Sequence, residues 1–353
     1  MSMRVLMFSS DPNVFAVGSP AWDRMRLYES VLEKLEIIRM DRSVGRYVRF
    51  WNGYRAARQK LQHERYDIVV AQDIEHALIA WVLSWKYGIP FQMQLHTDIF
   101  SPYFWKGGLV NKLRVLCARF LIPRASCIRV VSERIKRSIE MRYPHVELQI
   151  SVLPVLPSIG DISREAAYKP RYGENYDFIV LMVARLEKEK NIPMAFYVFR
   201  IFLQEHPRAL LLIVGSGSQK MALKDLSESL GIEKNILFQN NLTREYEIAD
   251  VLLLTSNYEG YGLVALEALH YGVPVIMTDV GVAGEVVRGG ENGLVVPVGD
   301  KEKLSAALVR YAKDMVLQEH LKNGAKNTPL PYQSKEEYRD KLKHSWETCV
   351  IKK

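Results

Sequence analysis

The sequence predicts an α/β protein with two doubly wound parallel sheets in tandem. Short runs rich in apolar and β-branched residues alternate with amphipathic stretches along most of the chain. The alternation lapses between Pro154 and Tyr176, where PVLPSIGDISREAAYKPRYGENY is rich in Pro, Gly, Ser and charge. A chain of 353 residues with 48% hydrophobic composition can also fill two cores of ordinary size.

In chain order, Arg4 to Phe8, Asp67 to Ala71, Phe91 to His96, Ile128 to Ser132 and Ile150 to Leu153 read as the strands of a first domain, residues 1–155. Residues 156–176 read as the linker. A second domain, 177–330, follows with strands at Phe178 to Val183, Ala209 to Val214, Asn235 to Gln239, Val251 to Thr255 and Pro274 to Thr278. The last segment, 331–353, reads as a charged helix that packs back on the first domain. Doubly wound sheets bind ligands at the carboxyl ends of their strands, so the two domains are expected to face a shared cleft.

Three cysteines, Cys117, Cys127 and Cys349, suit neither a disulfide framework nor paired zinc ligands, and reduced thiols in a cytoplasmic protein are expected. The opening MSMRVLMFSSDP enters a strand directly, without a secretory pattern. The apolar runs Phe178 to Ala184 and Ala77 to Trp85 fall well short of the roughly 18 to 20 residues of a membrane span. Residues 1–150 hold 23 Lys and Arg against 14 Asp and Glu, whereas 151–353 hold 25 against 26. The basic excess of the first half suits an anionic partner or a solvated face. Nucleic acid is disfavoured, because no stacking-aromatic or zinc-finger motif accompanies the charge.

The densest chemistry lies in Ser256 to Asp279, SNYEGYGLVALEALHYGVPVIMTD. A strand ends in a polar, glycine-containing turn and a helix begins, so the N–H groups of Gly262, Leu263 and Val264 become the unpaired donors of its first turn. That is a seat for phosphate. Glu267 lies one turn beyond Leu263 on the same face, where a carboxylate accepts hydrogen bonds from vicinal ribose hydroxyls. Glu259 sits in the turn itself, within reach of whatever hangs from the phosphate. These two glutamates around Gly-Tyr-Gly, followed by Ala-Leu-His-Tyr-Gly-Val-Pro, resemble the signature of retaining GT-B glycosyltransferases of family four, the glycosyl transferases group 1.

The resemblance implies a GT-B fold, two Rossmann-like domains facing a cleft, and transfer of a sugar from a nucleotide diphosphate sugar (a UDP-sugar or GDP-mannose) to a glycan or lipid-linked acceptor. Val183-Ala-Arg-Leu-Glu-Lys-Glu-Lys-Asn191 looks like the family's Arg-Leu then Lys element, which makes Arg185 and Lys190 the pair that grips the donor diphosphate. Two fixed cations can do the work of a bound magnesium. No Asp-x-Asp occurs in the chain, and neither a metal nor a cofactor is expected. Val214-Gly-Ser-Gly-Ser218 matches the family's glycine turn, implying donor contacts at Gly215 and Gly217; Lys220 replaces the third glycine of a dinucleotide fingerprint. The turn Gln239 to Thr243, QNNLT, stands where members recognise the base.

In the first domain, His96 of Leu95-His-Thr-Asp98 resembles the strand-end histidine that approaches the donor sugar, and Ser132-Glu133 matches the Val-Ser element. Gly18 matches the glycine-rich acceptor loop in part, since Gly18-Ser19 replaces the usual glycine pair, and Pro154-Val155-Leu156 departs from Pro-Asn-Gly. Phe100-Ser-Pro-Tyr-Phe-Trp-Lys106, followed by Lys112, Arg114, Arg119 and Arg124 among leucines and Phe120, is an amphipathic basic segment. Residues 100–124 suit either an anionic membrane surface or an ordinary packed helix with a basic face. Two other functions stay open at this level: an epimerase or phosphorylase on the same fold, and a nucleotide-sugar binding protein without turnover.

Overall fold

A computed structural model describes residues 3–41, 43–156, 175–242, 244–332 and 334–351. The chain divides into two compact units, Met1–Ser158 with Pro331–Lys353, and Ile159–Leu330. Of the expected linker, residues 157–174 lie outside the described ones.

The first unit runs β1 (Arg4–Ser9), α1 (Pro20–Glu29), β2 (Lys34–Arg39), α2 (Arg46–His63), β3 (Ile68–Ala71), α3 (Ile74–Tyr87), β4 (Phe91–Leu95), α4 (Pro102–Lys106), α5 (Leu109–Leu121), β5 (Cys127–Val130), α6 (Glu133–Arg142) and β6 (Ile150–Val152). Its six strands are all parallel, in the order β2-β1-β3-β4-β5-β6. The second unit runs β7 (Phe178–Val183), α7 (Ile192–Phe202), β8 (Ala209–Val214), α8 (Lys220–Ser229), β9 (Ile236–Gln239), β10 (Val251–Leu254), α9 (Leu263–His270), β11 (Val275–Thr278), β12 (Gly293–Val296), α10 (Lys301–Lys313) and α11 (Met315–Lys326). Its sheet is also parallel, ordered β12-β11-β10-β7-β8-β9.

Helices on both faces bury the central strands completely, which is why β3 and β8 read as near-continuous apolar runs, while β4 carries the buried Gln92 and Gln94 between its apolar residues. The strands the sequence reading lacks, β2 and β12, are edges. In β2 the charges alternate with the apolar residues: Lys34 pairs with Glu64 at 2.5 Å and Glu36 with Lys60 at 2.7 Å, so the run looks like a surface segment. Each strand order reverses once, between β1 and β3 in the first sheet and between β7 and β10 in the second. The crevices for ligands belong at those points.

The final helix, α12 (Lys335–Ile351), belongs to the first unit. Its buried residues Tyr338, Leu342, Trp346 and Cys349 recur at helical spacing and form one stripe. Trp346, fully buried, donates from Nε1 to Gln92 Oε1 of β4 at 3.1 Å, and Gln92 Nε2 returns a bond to the Ser345 carbonyl at 3.1 Å. Cys127 and Cys349 are joined as a disulfide with Cα atoms 5.2 Å apart. This corrects the expectation of reduced thiols for two of the three cysteines: a separation of 222 residues carries no spacing signal, and only the return of α12 onto β5 brings the pair together. Cys117 remains free.

Among the described residues no helix is long and apolar enough to cross a membrane. The basic amphipathic segment is divided by the fold. Phe104 is buried, whereas Arg114, with a side chain 40% exposed, donates to Glu75 at 2.9 Å. What remains exposed is the stripe Leu109, Leu113, Leu116 and Phe120 of α5, together with Trp105. Lys112 and Arg119 each lie 5.8 Å from the Trp105 ring centre, and Arg124 lies over Phe120 at 3.9 Å.

Candidate active site

In the second unit, the loops that leave β7 and β10 meet at the switch point. Lys190 follows β7, Glu259 follows β10, and Lys190 Nζ donates to Glu259 Oε1 at 2.5 Å, with both side chains largely buried. Ser256 Oγ donates to the same carboxylate oxygen at 2.7 Å. Three more bonds lock the two loops: Thr255 Oγ1 to the Lys190 carbonyl at 2.9 Å, Asn257 N to the Glu189 carbonyl at 2.8 Å, and Asn191 Nδ2 to Asn257 Oδ1 at 3.2 Å. Asn191 holds the left-handed conformation at φ 47°, which lets the chain turn sharply into α7; asparagine tolerates this better than most side chains.

Gly262 caps α9 with φ 93°, a conformation that costs glycine little. Among the described residues the N–H groups of Gly262, Leu263 and Val264 find no acceptor, so the first turn of α9 presents three free donors. One turn along, Glu267 Oε2 accepts from the Tyr246 hydroxyl at 2.8 Å. Burial raises the Glu267 pKa, and the Tyr246 bond opposes the rise in part. Nothing in the sequence announces Tyr246 as its partner.

Arg185 stands apart from this core. Its side chain is 73% exposed and bonds Glu189 at 2.7 Å, so Lys190 is the cation built into the turn. Gly215 and Gly217 serve close approach: a Cβ on Gly215 would stand 2.0 Å from the Ala184 carbonyl oxygen, and one on Gly217 2.5 Å from that of Leu186. The glycine turn therefore packs directly on the loop that carries Arg185. In the base-recognition turn, Gln239 bonds Glu245 at 2.8 Å and Asn240 accepts from Lys220 at 2.9 Å, while Thr243 lies outside the described residues.

In the first unit, a cavity of about 290 Å³ opens at the β1/β3 switch point, walled by Ser10, Asp11, Arg24, Gln94, His96 and Arg129 among others. His96 follows β4 and is exposed as a whole residue. Desolvation in that concavity, then the positive charges of Arg129 and Arg24, push its pKa below the ordinary imidazole value, and that exposure tempers the first effect. A neutral imidazole is thus available to hydrogen-bond a sugar hydroxyl. Gly18 takes φ 81° just before the Ser19 cap of α1, in a loop where no atom would contact a Cβ. Ser132 caps α6 by accepting from Ile135 N.

The profile described as glycosyl transferases group 1 matches residues 166–328, and the one described as glycosyl transferase 4-like domain matches residues 11–154. An uncharacterized glycosyltransferase of Methanocaldococcus jannaschii is 31% identical over 278 residues, 74% of this chain and 70% of the relative. The chain belongs to the group 1 glycosyltransferases. N-acetyl-alpha-D-glucosaminyl L-malate synthase of Bacillus anthracis is 29% identical over 76% of this chain and 71% of its own. HepE of Anabaena, solved in complex with UDP and glucose, superposes with a TM-score of 0.71 at 18% identity, covering 98% of this chain and all of that one. The glycosyltransferase therefore has the two-domain GT-B fold, and its two switch points are where that fold's ligands are to be sought.

Proposed function

We propose that this enzyme transfers a sugar from a UDP-sugar to a glycan or lipid-linked acceptor, with retention of configuration and without a metal. The observation that carries the reading is the turn in which Lys190, Glu259 and the three free N–H groups of α9 converge. A donor diphosphate on those N–H groups would accept charge-assisted bonds, and Lys190 would stabilise the charge that grows as the glycosidic bond breaks. Arg185, on its exposed loop, would add a second cation once its bond to Glu189 is exchanged. Glu267 would take the ribose hydroxyls and Glu259 the sugar. The UDP in the HepE complex supports uracil as the base.

Retention has two chemical routes, a covalent carboxylate intermediate or attack on the face the leaving group departs. Glu259 is engaged by Lys190 and Ser256, which suits positioning better than nucleophilic attack. We favour same-face attack, with the departing phosphate taking the acceptor proton. Chain location follows from the substrates: cytoplasmic, and peripheral on the inner membrane face through Trp105, Lys112, Arg119, Arg124 and the α5 stripe. The Cys127–Cys349 bond is compatible with that compartment because both residues are buried from soluble thiols.

A thermal-shift panel of UDP, GDP, ADP and dTDP tests the donor, since a ligand at 100 times its Kd stabilises the fold by about 2.7 kcal/mol. UDP alone should raise the melting temperature, and NMR of the product should show the donor's anomeric configuration. Stabilisation by GDP instead of UDP, or an inverted product, removes the corresponding part of the reading.

A further inference from the structure

We propose that the cavity at the β1/β3 switch point receives an anionic group of the acceptor, a carboxylate or a phosphate, between Arg24 and Arg129. This deepens the proposed function and rests on the first unit being its acceptor side.

Arg129 sits in the middle of β5 and is 2% exposed. Its partners are the hydroxyls of Tyr338 at 3.0 Å and Tyr28 at 3.5 Å, and the Leu153 carbonyl at 3.4 Å. Among the described residues its Nε has no hydrogen-bond partner. Arginine does not shed its proton in a protein, so a full positive charge is buried here without a carboxylate. Arg24 of α1 lines the same cavity and, among the described residues, has neither a hydrogen-bond nor an ion-pair partner.

Two carboxylates also line the wall, and both are already engaged at helix starts. Asp11 accepts from Asn13 N at 2.9 Å. Asp73 accepts from His76 N at 2.8 Å, and its second oxygen lies 3.3 Å from His76 Nδ1. The His96 ring registers the result, since the charges acting on it are those of Arg129 and Arg24. A structural tie from Arg129 to α12 accounts for the two tyrosine contacts. It leaves Arg24 and the bare Nε without a purpose, whereas an anion between two planar guanidinium groups uses both.

Calorimetric titration of the full chain saturated with UDP reads this cavity alone, because UDP fills the phosphate seat of α9. Inorganic phosphate and succinate are titrated separately, with glycerol as the uncharged control. One equivalent of phosphate, of succinate, or of both should bind, and the anion that binds names the acceptor's charged group. Arg24→Gln should weaken that binding by about tenfold or more, as expected when a charge-assisted bond is lost, and Arg24→Glu should abolish it. Lys86→Gln, at an exposed cation of α3, should leave it unchanged. Absence of binding by both anions, or equal affinity in Arg24→Gln and wild type, overturns the proposal. The preceding UDP titration judges the donor reading by itself: no UDP heat combined with Arg24-dependent anion binding keeps the anion site and removes the donor assignment.

Discussion

The two switch points of this enzyme handle charge in opposite ways. In the second unit the cation arrives with its counter-charge, Lys190 on Glu259 at 2.5 Å, in a turn tied down by Ser256, Thr255 and Asn257. In the first unit neither Arg24 nor Arg129 has a carboxylate partner among the described residues, and Arg129 is buried all the same. A paired lysine can exchange one oxygen for another when a diphosphate binds, at little net desolvation. An unpaired buried arginine carries its desolvation cost until a ligand arrives. The second unit's switch point is therefore built to exchange partners and the first unit's to acquire one.

The largest expected effect breaks the comparison at its scaffold. Trp346→Ala removes the centre of the α12 stripe and should destabilise the first unit by about 3–5 kcal/mol, the usual range for a buried aromatic. Hydrogen exchange should then report faster opening of β4 and β5 with β7 and β10 unchanged, and UDP binding should survive. Equal loosening of both units would mean that α12 supports more than the first sheet.

Next in size is Lys190→Ala. The diphosphate gains charge only as the glycosidic bond breaks, so kcat should fall by ~100-fold or more while the donor KM changes little. A raised KM at normal kcat would assign Lys190 to ground-state binding instead.

Glu267→Ala should act the other way, raising the donor KM by about tenfold with kcat largely kept, because a ribose contact is present before and during reaction. The contact needs the ionised carboxylate, and burial raises the Glu267 pKa. Donor affinity should accordingly decline on acidification from a pH above that of an ordinary glutamate, and Glu267→Gln should flatten this limb. A pH profile identical in wild type and Glu267→Gln would sink the ribose role. The smallest expected effect is none at all: with Lys190 and Arg185 as the diphosphate cations, EDTA should leave turnover unchanged, and loss of activity that magnesium restores would overturn that assignment.

How far the sequence was readable follows the same division. Strands such as Ala209–Val214, buried on both faces, announce themselves as apolar runs; the edge strand β2 does not, because its charges alternate with its apolar residues. Lys190, Glu259 and Gly262 lie in short segments whose local turn chemistry is visible. Tyr246 and Glu267 meet across 21 residues, and Arg24 and Arg129 share a cavity from α1 and β5, with no period or motif linking them. One signal was available: an arginine inside Cys127-Ile-Arg-Val-Val is anomalous for a buried strand. The disulfide was invisible because it depends on where α12 returns, 222 residues after Cys127.

That return has a consequence for biosynthesis. The first unit is begun first and completed last, because the stripe Tyr338, Leu342 and Trp346 that covers its sheet is encoded after the whole of the second unit. Ribosomes add about 5–20 residues per second, so the face of β3, β4 and β5 waits roughly 10–40 s after β6 emerges before its cover exists. During that interval the second unit can fold to completion while the nascent first unit exposes apolar surface, which makes this the stage at which a chaperone would hold the chain.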